Sequence, residues 1–291
     1  MSPVSQSVPE FAGRVAVIAT MHHKEQAIAP PLASSLGIQP HVPNDLNTDN
    51  FGTFTRDVDR PADQLVTARL KAKAALDLTG ETLAIASEGS FGPHPQIPFV
   101  PCDRELVVLI DLANHLEIVG QAISTHTNYR SQTIRSLDEA FAFAQAVGFP
   151  THGLVVMPTA AGSPSAAIAK GITTESALTA AVETVLAASP TETAHIETDM
   201  RAHLNPSRMK VIAEATEDLV QAIVRRCPRC DCPGFAIAQH NPGLPCAWCS
   251  TPTMLTLSVT YRCQRCDFET VDKFPAGTQT ADPGNCPYCN P

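Results

Sequence analysis

Apolar positions along the first two thirds of the chain follow two periods in turn. Arg14 to Ala19 is a compact β-rich run that predicts a strand. A polar stretch, Thr20 to Glu25, leads into a helix-like segment that reaches Leu36 and stops at Gly37. Leu65, Ala68, Ala72, Ala75 and Leu76 recur at helical spacing, which predicts a helix over Asp63 to Thr79 closed by Gly80. Thr82 to Ala86, Leu106 to Ile110 and Glu117 to Ile123 read as strands. Ser136 with Glu139 forms a capping-box signature for a helix to Val147, before Gly148. Leu154 to Met157 predicts a buried strand, and the small residues Thr159 to Ser165 a flexible connection. Thr174 to Ala188 then reads as a helix and His195 to Thr198 as a strand. Asn205-Pro206 opens a last helix running to about Arg226. Strands that alternate with helices imply an α/β fold, a mixed sheet flanked by helices, over residues 1–222.

The remaining residues, 223–291, read as a small β-rich double zinc ribbon. Nine of the ten cysteines fall between Cys227 and Cys289, and eight of them form Cys-x-x-Cys turns: Cys227/Cys230, Cys246/Cys249, Cys263/Cys266 and Cys286/Cys289. Each turn offers two thiolates, so four turns make two closed tetrahedral sites for structural zinc. Asn241-Pro242-Gly243, and the Pro/Gly-rich run after Cys266, look able to fold the chain back. Met254 to Tyr261, by contrast, is one uninterrupted strand pattern. That reasoning assigns the sites sequentially, the first two turns to one ion and the last two to the other. Cys102 and Cys232 stand outside the pattern, as small apolar side chains or supports.

Composition narrows the function classes. With 44% hydrophobic and 17% charged residues, the chain can bury a sizeable core. No apolar run approaches the roughly 20 residues that span a bilayer. The Ser/Pro-rich start lacks the basic and apolar regions of a secretory signal, and the expected location is cytoplasmic. From residue 223 onward there are six Lys/Arg and five Asp/Glu. The overall charge of −9 therefore lies on the larger part, a poor general surface for nucleic acid.

Candidate chemistry in the α/β part sits at strand ends. Thr20, His22, His23 and Lys24 lie between the first strand and its helix, where a helix N-terminus and an ammonium group suit a phosphate; a solvated helix start would look the same. Ser87 to Pro95 follows a strand with Glu88, two glycines and His94, either a ligand-facing loop or a simple turn. Asp103 and Glu105 precede the next strand and Asp111 ends it, and Glu88 with Asp111 could hold a hard cation such as Mg²⁺. Asp45, Asp49, Asp57 and Asp59 form an acidic loop that either closes over a site or is solvated. Of Arg69, Lys71 and Lys73, one or two at most can face a ligand. Arg201, His203 and Arg208 near the last helix start suit an anionic substrate or interdomain ion pairs.

Two resemblances attach to these residues. Ala19 to Glu25, Thr48 to Phe54, Ala86 to Pro95 and the terminal Cys286-Pro287-Tyr288-Cys289-Asn290-Pro291 closely resemble an uncharacterised bacterial domain-of-unknown-function family over nearly the whole chain. The order of features in the first two thirds also looks like the inosine/xanthosine triphosphate pyrophosphatase superfamily. In that likeness Thr20 and Lys24 match the polar phosphate loop, and Ala68, Lys71 and Ala72 an Ala-x-x-Lys-Ala helix. Glu88-Gly89 matches an acidic loop and Arg208 a late arginine. Val66 stands where the superfamily has a metal-binding Glu, and Glu88 alone where it has paired acids; Asp111 or Asp57 could cover the loss. The resemblance implies a Mg²⁺-dependent nucleotide phosphohydrolase. Joined to the strand-end residues above, it gives the expectation of Glu88 and Asp111 on metal, Lys24 and Arg208 on phosphates, and Thr20, His22, His23, Lys71, His94 and Arg201 lining the ligand. The competing expectation is a non-enzymatic adaptor or ligand sensor whose zinc ribbons dock a protein or RNA partner.

Overall fold

In a computed structural model the structure describes residues 8–51, 62–159 and 168–291. Asp57 and Asp59 of the acidic loop, and all of the small-residue connection after Thr159, lie outside them. The chain divides into two compact units, one of residues up to 220 apart from 116–118, the other of 116–118 and 221–291.

The first unit holds two sheets. The larger has the order β2-β1-β3-β4-β5, from β1 (Val15–Ala19), β2 (Gln39–His41), β3 (Leu83–Pro93), β4 (Pro101–Asp111) and β5 (Leu116–Ser124). β1 pairs parallel with both β2 and β3, while β3 and β4 form a long antiparallel hairpin. Helix α1 (Glu25–Leu36) joins β1 to β2, and α2 (Gln64–Thr79) precedes β3. Both end as the glycines demand: Gly37 and Gly80 adopt left-handed backbone, and their N–H groups reach back to Ala33 and Leu76. Asp63 caps α2 by accepting from the Val66 N–H. The first connection runs from β1 outward to β2 and the second back from β2 across β1 to β3, opposite directions along the sheet, so the right-handed rule places α1 and α2 on opposite faces. α2 packs Ala68, Ala72, Ala75 and Leu76 against Val17, Ala84, Ala86 and Val108.

The smaller sheet has the order β6-β9-β7-β8, from β6 (Ser131–Ile134), β7 (Leu154–Pro158), β8 (Ala169–Ile172) and β9 (Ala194–Thr198). Its core is closed by α3 (Leu137–Ala146) and α4 (Glu175–Ala188), through Phe143, Leu178, Val182 and Val185. Ser136 and Thr174 cap the two helices. Helix α5 (Pro206–Val224) lies against β5 at Gly120, where a Cβ would come within 2.2 Å of the Leu219 nitrogen; only glycine admits the helix backbone that close.

The structure thus has the mixed sheet and helices expected, with two differences. The polar run after Ala86 is not a loop: β3 continues through it to Pro93, paired residue by residue with β4. Asp103 and Glu105, likewise, lie within β4 rather than before it. Alternation explains why the signal was weak, since polar and small residues on these strands face a polar interior instead of an apolar one.

The second unit is a three-stranded antiparallel sheet of β10 (Ala236–Pro242), β11 (Thr256–Arg262) and β12 (Glu269–Lys273), with β11 central. Phe235 stacks on Tyr261 and Phe268 to give it a small aromatic core. Among the described residues no helix is long and apolar enough to cross a membrane.

Candidate functional site

Each Cys-x-x-Cys turn is closed by a backbone hydrogen bond from the residue after its second cysteine to the carbonyl of its first, as Asp231 to Cys227 and Asp267 to Cys263. Asp231, Ser250 and Asp267 take left-handed φ of 57°, 60° and 55° to make that closure. Cys227, Cys230, Cys263 and Cys266 converge at one end of the sheet and Cys246, Cys249, Cys286 and Cys289 at the other. Closest sulfur separations run from 3.4 to 3.8 Å. Four thiolates at Zn–S bonds of about 2.3 Å in a tetrahedron would lie about 3.8 Å apart. Each tetrad can therefore hold a zinc ion.

The pairing corrects the sequential assignment. Ala236 is paired with Arg262, and Arg262 with Glu269, so the first and third turns meet at one end; Pro242 is paired with Thr256 at the other. Every strand carries the chain the length of the sheet, on the order of 20 Å, so the turns alternate between ends. The reasoning that separated Cys249 from Cys263 across β11 applies equally to β10 and β12. The apparent reversal at Asn241-Pro242-Gly243 only ends a strand. Cys102 and Cys232 are buried and lie outside both tetrads.

In the first unit, β1 ends at Ala19 beside Ala86, while its parallel neighbour β3 runs on to Pro93. The chain leaves β1 toward β2 and β3 toward β4, and this divergence is the switch point at which open α/β sheets bind ligands. His23 takes a left-handed φ of 58° and turns Lys24 inward. The Lys24 Nζ donates to the Ser87 carbonyl oxygen and to its Oγ, at 3.2 and 3.1 Å. Burial, reinforced by the charges of Arg208 and Lys71 and opposed by Glu105 and Glu88, lowers the Lys24 amine to about 7. Glu88 continues the series of Ala84 and Ala86 toward α2, where its carboxylate pairs with Lys71. Arg69 and Lys73 on the same helix are exposed. Lys24 and Glu88 therefore flank the middle of β3, just past the end of β1, from opposite faces.

Ser87, Gly89 and Phe91 share the other face with Asp103 and Glu105, which pair across the hairpin with Phe91 and Gly89. Arg208 enters from the first turn of α5, whose start Asn205 caps by accepting from the Arg208 N–H at 3.0 Å. Its Nε donates to Glu105 Oε1 at 2.6 Å, Nη1 donates to the Met200 carbonyl, and the guanidinium lies 5.3 Å from the Phe91 ring. A Cβ on residue 89 would fall 2.2 Å from Glu105 Oε1, so glycine leaves room for the ion pair. Burial, with the charge of Glu105, raises the Asp103 carboxyl to about 8.

His22 and His203 stack with centroids 5.3 Å apart, and His23 meets His203 edge-on at 5.9 Å. Burial and the neighbouring His22 and Arg201 lower the His203 pKa. Arg201 is clasped by Asp199 through Nε and Nη2, the shorter contact being 2.6 Å. Thr20 is buried and accepts from the His22 N–H.

Two expected residues stand elsewhere. Asp111 pairs with Leu83 at the far end of the hairpin, where Arg14 grips both carboxylate oxygens at 2.6 and 2.8 Å and Asn114 donates a further bond. Glu88 is paired with Leu106, five residues up the strand or roughly 17 Å away. These two carboxylates cannot share an ion, so the pair expected to hold Mg²⁺ does not fit one. His94 lies in the turn beyond β3, its Nδ1 accepting from the Gln96 N–H, and does not join the site. Glu105, Asp103 and Ser87 had no assigned role in the sequence; two acids two apart inside a buried strand were the available signal.

No curated protein matches the chain. Residues 71–291 match the family described as a domain of unknown function, DUF6671. With three quarters of its length covered, the chain belongs to that family.

Proposed function

We propose that the α/β unit binds a phosphate-bearing small molecule of the nucleotide type at the β1–β3 switch point and hydrolyses its phosphoanhydride. The observation that carries this reading is that Lys24 and Arg208 meet one face of the β3–β4 hairpin just beyond the end of β1, with Lys71 on the other face of the same stretch. The likeness of their order along the chain to nucleotide pyrophosphatases supports it. An incoming polyphosphate meets an amine at Lys24 that is bound to a neutral serine rather than to a carboxylate, and its charge draws a proton onto that amine. His22, His23 and His203 add a polar, partly aromatic rim. The buried carboxylates provide the acid–base groups that hydrolysis requires. A panel of nucleoside triphosphates and diphosphates, with and without Mg²⁺, tests the reading. Release of phosphate or pyrophosphate that Lys24→Ala abolishes supports it, and no release from any member rejects it.

A second reading has its own observation. Trp248 and Tyr288, 78% and 77% exposed, occupy the third positions of two turns in the same tetrad, with Met254 84% exposed. Exposed aromatics on a rigid metal-held turn suit a docking adaptor for protein or RNA. Trp248 is the chain's one tryptophan, so a change in its fluorescence on adding single-stranded RNA reports directly on that surface.

A further inference from the structure

Asp103 and Glu105 lie two residues apart on β4, on one face, each 1% exposed. Glu105 Oε1 accepts from Arg208 Nε in a charge-assisted hydrogen bond. Asp103 Oδ1 and Glu105 Oε2 are both buried without a hydrogen-bond donor. Such orphaned oxygens cost about 1–3 kcal/mol each, and two adjacent buried carboxylates cannot both stay charged. One proton removes both difficulties, because an Asp103 hydroxyl can donate to Glu105. The groups around Asp103 are Glu105 on its own strand, Arg208 from α5 and Lys24 from the start of α1, with Phe91 opposite on β3.

We propose that Asp103 and Glu105 hold a single proton between them in the resting protein, and that Asp103 is the general acid of the switch-point site. The shared proton stands on the geometry alone; the catalytic role rests on the hydrolase reading above. In the step, water attacks phosphorus and the bond from phosphorus to the bridging oxygen breaks. Asp103 gives its proton to that oxygen as it leaves. The proton released by the water stays on the departing phosphate, and Lys24, charged when the polyphosphate bound, passes its proton to Asp103 after product departs. Lys24 near 7 and Asp103 near 8 make that return feasible in the resting site.

The test uses the full chain with ¹³C-labelled aspartate carboxyls, followed by NMR against pH. One aspartate should stay protonated well above the ordinary value near 3.9 and titrate near 8, and this signal should vanish in Asp103→Asn. Finding every aspartate ionised at neutral pH overturns the shared proton. Asparagine keeps the shape and can still donate to Glu105, so the variant is expected to fold. Against a hydrolysed nucleotide it should lower kcat about 10²-fold with KM nearly unchanged and remove the fall in rate at alkaline pH. Wild-type kcat with an unaltered pH profile overturns the general-acid role. If the protein hydrolyses no phosphoanhydride, that role falls together with the hydrolase reading, and the shared proton is decided by the NMR titration alone.

Discussion

The zinc unit takes all its ligands from residues 227–289, in four turns of one local design. The switch-point cluster instead gathers Lys24, Lys71, Ser87, Glu88, Asp103, Glu105 and Arg208 from across the α/β unit. In the first, the chemistry of each turn is written locally and only the partnering depends on topology. In the second no short segment carries the site, and strand register decides which side chains meet. The difference teaches that local spacing identifies what a group can do, whereas the number of strand crossings between groups decides with whom.

The largest expected effect tests the partnering. Cys227→Ser with Cys263→Ser should remove one zinc per chain by elemental analysis, whereas Cys227→Ser with Cys246→Ser should remove both. A sequential arrangement gives the reverse. Structural zinc in small domains contributes on the order of 10 kcal/mol, so chelation should unfold the zinc unit, seen as loss of the stacked Phe235–Tyr261 signal in near-ultraviolet dichroism.

Breaking the cluster should cost less. Arg208→Met removes one partner of a fully buried ion pair, and such a loss costs about 3–5 kcal/mol. Gly89→Ala, which drives a methyl group into the same ion pair, should cost about 1–3 kcal/mol. Both are read by denaturant unfolding. If either is neutral, the pair is not closed as described.

The smallest effect concerns Asp111. Burial acts to raise this carboxyl, but hydrogen bonds from Arg14 and Asn114 prevail and its pKa is lowered. Its stabilisation is therefore present above the ordinary 3.8 and is lost as pH falls through the lower native value. Asp111→Asn should cost about 2 kcal/mol at neutral pH and flatten the acid limb of the stability curve. It should leave ligand binding unchanged, because the residue lies at the wrong end of β3.

Much of the α/β framework was legible because capping and stop residues are local: Asp63, Ser136, Thr174 and Asn205 begin helices, and Gly37 and Gly80 end them. Lys24, Glu88 and Arg208 were also legible as charged residues at expected strand or helix ends, and Lys71 as one of three cations along a helix. Asp111 was misplaced because a carboxylate at a strand end looks the same whichever end of the sheet it occupies; antiparallel pairing of β3 with β4 puts it at the bottom. Asp103 and Glu105 were passed over because acids inside a strand resemble its flanking loop until a buried arginine is seen to meet them.

The most direct measurement is calorimetric titration of the full chain with inorganic tripolyphosphate and with a nucleoside triphosphate, beside Lys24→Ala and Asp111→Asn. The account predicts one site per chain, affinity lost by at least about tenfold in Lys24→Ala, and no change in Asp111→Asn. Absence of binding, or equal loss in both variants, would contradict a phosphate site at the β1–β3 switch point.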